Sequence, residues 1–335
     1  MSDAPTSFSE ANQGHDHLWG PSTQSVHAGA VRQKPFNALA EPIVQTATYI
    51  FQDSDEVSDF MESRKRGNTH GRVDYGRYGN PTVAAAEARL ASLEHAGGAV
   101  LFPSGMAAIT TTLLALLSRD SHIVVTDDCY RRTRQFCQDL LPRYGVRCSV
   151  VPMGDYDALE AAICADTRLL FSETPTNPYL RILDLERFVN VARRHGLLTV
   201  VDATFASPVN QRPLEWGVDV VVHSATKYLA GHNDLLAGVV LGDAETVAFI
   251  RETVNTLGCI VDPHNAYLLL RGLKTLGLRV RQQNQTGLLV AKFLESHPAV
   301  ERVWYPGLPS HPEYELAPTQ MDGFGGVVSF NIRGD

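Results

Sequence analysis

Apolar and polar positions follow two textures along the chain. From Ala99 to Gly242 short apolar, β-branched runs recur, each bounded by turn residues. They predict strands at Ala99–Phe102, His122–Thr126, Cys148–Met153, Arg168–Ser172, Leu198–Asp202, Asp219–Val222 and Gly238–Gly242. Between most of them lie helical stretches: Ala107–Leu117, Arg131–Leu141, Tyr156–Ala165 and Leu183–His195. Seven strands alternating with helices predict an α/β fold, a mostly parallel sheet covered on both faces, with Gly238–Gly242 crossing back. From Ala244 onward long helical runs take over, at Ala244–Thr256, Asn265–Leu276 and Val280–His297, followed by strands at Val300–Tyr305 and Gly326–Asn331. Upstream, Val44–Tyr49 reads as extended, Phe51–Arg66 as a charged helix, and Thr82–His95 as an alanine-rich helix capped by Asn80 with Pro81 in its first position. The expected divisions are 1–75, an N-terminal arm and inter-subunit segment; 76–265, an α/β domain; and 266–335, the start of a smaller α/β C-terminal domain.

Candidate chemistry lies at the ends of the strands, where open α/β sheets bind ligands. Three valines, Val220 to Val222, lead through His223-Ser224-Ala225-Thr226 to Lys227. A lysine just past a buried strand is expected to be poorly hydrated, with its pKa lowered and its amine available for attack. Ser224 and Thr226 offer hydroxyls suited to a phosphate. Asp202 closes the preceding strand and is placed to pair with a pyridinium nitrogen. Together they suggest a lysine held as a Schiff base to pyridoxal phosphate. Each residue alone has a plainer reading: lysines snorkel from strand ends, and aspartates cap helices. Ser104 falls at a helix N-terminus, which favours anions. Tyr75 and Arg77 lie on a tight loop and suit a phosphate, though loop residues without a ligand are as common. Tyr130 follows a strand end, where its ring can stack on a flat cofactor. Arg131, Arg132 and Arg134 form a basic patch behind it, or simply a solvated helix face. Asn177 follows another strand end, where its amide can bind a phenolic oxygen.

Bulk properties narrow the classes. The net charge of -8 argues against a general nucleic-acid binder. No apolar run approaches membrane-spanning length. Met1 to about Gly20 carries acids but no Arg or Lys. It is expected to be a mobile arm, neither secretory signal nor transit peptide. Five scattered cysteines without a C-x-x-C pair predict no metal site and a reducing cytoplasm. No G-x-G-x-x-G follows a strand, which disfavours a dinucleotide-dependent dehydrogenase.

The motifs Val222-His223-Ser224-Ala225-Thr226-Lys227-Tyr228, Tyr75-x-Arg77-x-x-Asn80-Pro81-Thr82 and Pro103-Ser104-Gly105-Met106-Ala107 resemble the Cys/Met-metabolism group of fold-type I pyridoxal phosphate enzymes. Within it, Asp128 to Arg134, Gly231 to Gly238 and Gln320-Met321-x-Gly323-Phe324-Gly325-Gly326 are most similar to plant-type cystathionine γ-synthases. The resemblance implies that Lys227 carries pyridoxal 5'-phosphate and shuttles protons, that Asp202 holds the pyridine nitrogen, and that Tyr130 stacks on the ring and acts as an acid or base. It implies that the Gly105 and Met106 amides, with Ser224 and Thr226, hold the phosphate. Glu173 and Asn177 would lie near the ring, with Glu173 binding the substrate. Tyr75 and Arg77 would reach the phosphate of a neighbouring subunit, in a homotetramer of active dimers.

The implied reaction is γ-replacement. An O-activated homoserine loses its γ-leaving group, and the thiol of cysteine adds to give cystathionine. Cystathionine γ-lyase, homoserine-ester sulfhydrylase and a cofactor-binding protein without turnover are the competing expectations. Arg132, in the basic patch, is expected to bind an anionic leaving group. The resemblance also implies a continuation past Asp335, with a serine-rich segment and an arginine for the substrate carboxylate; Arg333 is not its match. The chain is therefore expected to be shortened, with an incomplete second domain, exposed apolar surface and low activity.

Overall fold

The computed structural model describes residues 19–31, 33–66 and 72–334. The arm expected over Met1 to about Gly20 lies almost wholly outside them. In chain order the helices are α1 (Pro21–His27), α2 (Ser54–Lys65), α3 (Pro81–Glu94), α4 (Gly105–Leu116), α5 (Arg131–Gln135), α6 (Tyr156–Ala161), α7 (Leu185–His195), α8 (Ser207–Asn210), α9 (Ala244–Leu257), α10 (Pro263–Leu273), α11 (Leu276–Ser296) and α12 (Ala317–Gln320). The strands are β1 (Gly98–Phe102), β2 (His122–Thr126), β3 (Arg147–Val151), β4 (Thr167–Glu173), β5 (Leu198–Asp202), β6 (Val220–His223), β7 (Gly238–Gly242), β8 (Val300–Trp304) and β9 (Ser329–Ile332).

The first seven strands form one sheet in the order β1-β7-β6-β5-β4-β2-β3. β7 runs antiparallel to both neighbours, and the other pairings are parallel. The order reverses between β4 and β2, so the loops leaving their carboxyl ends part and open a crevice. Central strands are covered on both faces, which is why they read as unbroken valine runs: Val220, Val221 and Val222 are all fully buried. One face packs Val200, Val220, Val222 and Val240 against Ile109 and Leu113 of α4 and Ile250 of α9. The other packs Leu170, Val201 and Val221 against Phe188, Val189 and Ala192 of α7, and Val239 and Leu241 against Leu90 of α3 and Leu269 of α10.

The helix signals are local. In α7 the apolar residues Leu185, Phe188, Val189 and Ala192 fall at helical spacing and are buried. Asp184 caps its N-terminus by accepting from the Arg187 N–H, three basic residues fill the last turn, and Gly196 ends it at φ +64°. Asn80 caps α3 by accepting from Thr82 and Val83, with Pro81 first.

Several boundaries differ from expectation, three of them with a visible local feature. The helix after Tyr130 is not continuous to Leu141: α5 gives way to a π turn over Phe136–Leu140 and a 3-10 turn to Tyr144. α6 stops at Ala161 rather than Ala165, because the Cys164 N–H is taken by the Thr167 hydroxyl at 2.8 Å. The last strand begins at Ser329, not Gly326. Gly325 at φ +78° turns the chain, and the Gly326 N–H donates to the Tyr228 hydroxyl at 2.8 Å instead of to a ladder.

Residues 300–332 form the antiparallel β8-β9 pair over a small cluster of Leu180, Ala291, Val303, Tyr305 and Leu308. Phe293, Leu289 and Ile332 are exposed there. Among the described residues, no helix is long and apolar enough to cross a membrane, and no cluster suits a metal ion.

Candidate active site

Four parallel strands deliver Thr126, Glu173, Asp202 and His223 to one edge of the sheet. Glu173 and Asp202 are register partners, each the last residue of its strand. β5 and β6 are adjacent, so the loop carrying Lys227 leaves beside Asp202. Sequence reasoning expected their two strands to be neighbours, and β5 and β6 are paired.

Asp202 is buried, with 6% of its surface exposed. Its Oδ1 accepts from the Thr204 N–H at 3.0 Å and from the Thr204 hydroxyl. That hydroxyl in turn accepts from the Ser224 N–H at 2.8 Å. One threonine thus ties the end of β5 to the turn before Lys227. Thr204 escaped the sequence reading, although Asp-x-Thr is a known local hydrogen-bonding pattern. Burial raises the Asp202 pKa; the Thr204 bonds and nearby His223 oppose that rise. His223 itself points to the opposite face, where its Nε2 meets Glu94 Oε2 at 3.1 Å in full burial.

Ser104 caps α4 by accepting from the Ala107 N–H at 3.0 Å. The first-turn amides of Gly105 and Met106 have no intrahelical acceptor and present a partial positive charge. Glycine is required here: a Cβ at Gly105 would lie 2.7 Å from the Ser224 Cβ. Gly238 is equally tight, since its Cβ would meet the Ser104 carbonyl at 2.3 Å. The α4 N-terminus and the Ser224 hydroxyl therefore form one small cradle suited to a dianion. Thr226 is nearby in sequence, but its hydroxyl donates to the Ala237 carbonyl at 3.2 Å and accepts from the Ala237 N–H at 3.0 Å. In this conformation it braces the loop.

Lys227 corrects an expectation. Its side chain is exposed, not desolvated. The strand ends at His223, and a run of turns from Ala225 to Ala230 carries the lysine beyond the sheet, where it is exposed.

Glu173 is 5% exposed. Its Oε2 accepts from the Tyr130 N–H at 2.7 Å, and its carboxylate also accepts from the Asn177 N–H. It therefore joins the two loops that flank the crevice. Burial first, then the adjacent Asp202, pushes its pKa well above the carboxylate range. Tyr130 and Asn177 are both exposed. Thr133, on the next turn, lies 3.9 Å from the Met106 sulfur and links α5 to α4. Arg132 is exposed and donates to Gln135 at 2.6 Å, away from the cradle. Arg134 donates to the Asp127 carbonyl.

Tyr75 and Arg77 sit elsewhere on the chain. The Arg77 guanidinium donates to the Asn255 carbonyl and lies 4.7 Å from the Tyr78 ring centre. Both residues line a cavity of about 460 Å³ with Thr46, Asn80 and Asp262. Among the described residues, no hydrogen bond joins either side chain to Lys227, Asp202 or Ser104.

Residues 22–335 match the family described as Cys/Met metabolism PLP-dependent enzyme. The chain is 46% identical over 324 residues to "Cystathionine gamma-synthase 1, chloroplastic" of Arabidopsis thaliana, covering 96% of this chain and 57% of that one. It is 39% identical to a "Probable cystathionine gamma-synthase" of Herpetosiphon aurantiacus, covering 94% and 95%. The crystal structure of metB from Corynebacterium glutamicum superposes with a TM-score of 0.88 at 35% identity, over 95% of this chain and 80% of that one. Cystathionine gamma-lyase from Lactobacillus plantarum, complexed with L-serine, gives 0.86 at 36% identity, over 94% and 79%. The chain thus spans little more than half of its plant relative, and the strand-end lysine, the paired aspartate and the helix cradle lie inside the matched region. The chain belongs to the Cys/Met-metabolism family of PLP-dependent enzymes.

Proposed function

We propose that this chain supports PLP-dependent γ-replacement, joining an O-activated homoserine and cysteine into cystathionine. The observation that carries the proposal is the Asp202–Thr204–Ser224 chain of hydrogen bonds. It sets a buried carboxylate, a phosphate cradle and the turn bearing Lys227 in one rigid unit, and these residues fit pyridoxal 5'-phosphate. When bound, that group supplies an electron sink for carbanion chemistry.

The protein's own residues divide the work. Lys227 would hold the cofactor and would move protons at the substrate α-carbon. Asp202 would keep the ring nitrogen protonated. Gly105, Met106, Ser224 and Thr226 would bind the phosphate, with Thr226 turning from Ala237. Tyr130 would cover the ring, and Asn177 would bind its phenolic oxygen. Glu173, assigned to the substrate on resemblance, is better suited to aligning Tyr130 and Asn177, since its carboxylate is engaged with their amides. Arg132 draws in an anionic leaving group by turning from Gln135. Tyr75 and Arg77 would act on a second copy of the chain, in a homotetramer of active dimers; among the described residues, no hydrogen bond ties them to this chain's own cradle. The expected division at 265 falls inside α10, whose Leu269 packs on the large sheet, so the smaller domain would begin beyond that helix. Five unpaired cysteines suit a reducing compartment such as the cytoplasm.

The test is a visible spectrum of the purified protein with pyridoxal 5'-phosphate, then an assay for cystathionine from homoserine esters and cysteine. A yellow protein that forms cystathionine, and loses its colour in Lys227→Ala, supports the reading. Cystathionine breakdown without synthesis would favour a lyase, and product only with sulfide a sulfhydrylase. A yellow protein inert to all of them would make it a binding protein. Arg132→Ala should impair a phosphorylated or succinylated homoserine far more than the acetyl ester; equal losses remove Arg132 from leaving-group binding.

A further inference from the structure

The loop that follows Lys227 is gripped by a residue that no motif flags. Arg279 lies in the first turn of α11. Its Nη1 donates to the Tyr228 carbonyl at 2.8 Å. Its Nη2 donates to the Leu229 carbonyl at 3.3 Å and to the Gly272 carbonyl at 2.9 Å. Its Nε donates to the Thr275 hydroxyl at 3.1 Å. Among the described residues, no carboxylate pairs with this half-buried guanidinium. A cation satisfied by three backbone carbonyls and one hydroxyl, with no carboxylate, fixes main-chain position, not charge balance.

The surrounding backbone is shaped to the same contact. Gly231 closes the loop at φ +73°, donating to the Lys227 carbonyl at 2.8 Å. A Cβ on Gly231 would fall 1.9 Å from Arg279 Nη1, so only glycine admits the guanidinium. Gly272 lets α10 touch the Ala230 carbonyl, where a Cβ would lie 2.3 Å away. On the other side the Tyr228 hydroxyl accepts from the Gly326 N–H. The residues immediately after Lys227 are therefore held from α10, α11 and the Gly325–Gly326 turn, while Lys227 itself stays exposed.

We propose that Arg279 is a positioning residue for Lys227, fixing the backbone from which the lysine reaches its cofactor. The proposal rests on the reading of Lys227 as the cofactor-bearing lysine. Its reach is mechanical: a shift of α11 or of the Gly325 turn would move the amine relative to Asp202 and the cradle. A misplacement on the order of 1 Å is enough to slow a positioned reaction roughly 100-fold.

The test compares wild type, Arg279→Ala, Arg279→Lys and a control, Ile250→Val in the α9 core, which lowers stability away from the loop. Each is mixed with pyridoxal 5'-phosphate, quenched with borohydride at intervals, and mapped by peptide mass. Amide exchange at Ala230 and Gly231 is followed without the cofactor. Expected are trapping at Lys227 slowed roughly 10- to 100-fold in Arg279→Ala, faster exchange at both amides, and recovery with millimolar free guanidinium ion. Arg279→Lys should be slow as well, because an ammonium cannot span three carbonyls. If Arg279→Ala does not fold, Arg279→Lys decides. Wild-type trapping rates in the folded variants, or an equal loss in Ile250→Val, would overturn the proposal. Trapping in the wild type at a residue other than Lys227 would instead overturn the site reading on which it rests.

Discussion

Thr204→Val isolates one contact at the centre of the site. The substitution keeps the branched shape and removes the hydroxyl. That hydroxyl donates to Asp202 Oδ1 and accepts from the Ser224 N–H. A hydrogen bond to a charged group contributes about 1.5–3 kcal/mol. If that contribution serves to hold Asp202 ionised, its loss appears as a roughly 10- to 150-fold weaker affinity for pyridoxal 5'-phosphate. Thr204 is half-buried, so water replaces part of the bond and the lower half of the range is expected. The pH dependence carries the sign. Burial already raises the Asp202 pKa, and the Thr204 bonds restrain the rise. A ring nitrogen held as pyridinium needs Asp202 ionised, so affinity is full above the Asp202 pKa and falls as pH drops through it. In Thr204→Val that fall should begin at higher pH. Titrating cofactor binding by absorbance across the acidic range measures both effects, with Thr204→Ser as the variant that restores the hydroxyl. Wild-type affinity and midpoint in Thr204→Val would refute the orienting role.

Glu173→Gln should flatten the dependence of thermal stability on pH. A carboxyl whose folded pKa is raised costs stability as pH climbs from its unfolded value through its folded one, and glutamine cannot ionise; unchanged pH dependence of melting would contradict this. Gly105→Ala should weaken cofactor binding at least as much as Thr204→Val, because its Cβ collides with Ser224, and absorbance titration reads it directly. Phe188→Ala, which empties a fully buried position of α7, should lower unfolding free energy in urea by about 3–5 kcal/mol. Tyr75→Phe and Lys227→Ala proteins, each inactive alone, should regain partial activity when refolded together if Tyr75 serves the neighbouring copy; no recovery would return Tyr75 to its own chain.

What the sequence revealed was whatever depends on short-range pattern. Central strands such as β6 and β7, buried on both faces, are apolar at almost every position and were legible, as was the antiparallel return of Gly238–Gly242. Caps such as Asn80 and Ser104 were equally local. Lys227 and Asp202 were legible because strand ends converge in a parallel sheet, whatever lies between them in sequence. The hydration of Lys227 was not legible, since it depends on how the Ala225–Ala230 turns lift it clear of the sheet. Thr204 carried a faint signal, two residues from Asp202, but its bond to Ser224 crosses strands and leaves none.

Glu173 and Arg279 mark the further limit. Glu173 follows an apolar strand, as many glutamates do; what distinguishes it is the topological reversal between β4 and β2, which brings the Tyr130 loop over its carboxylate. Arg279 reads as one more charge on an amphipathic helix, and its partners Tyr228 and Leu229 lie about 50 residues earlier. Both act on the backbone of another segment, so neither contact follows a spacing rule. In this fold the groups that would touch the cofactor sit at strand ends and announce themselves. The groups that aim them are recruited from distant elements, and they become visible only when the hydrogen bonds of Tyr130, Ser224 and Tyr228 are followed back to their sources.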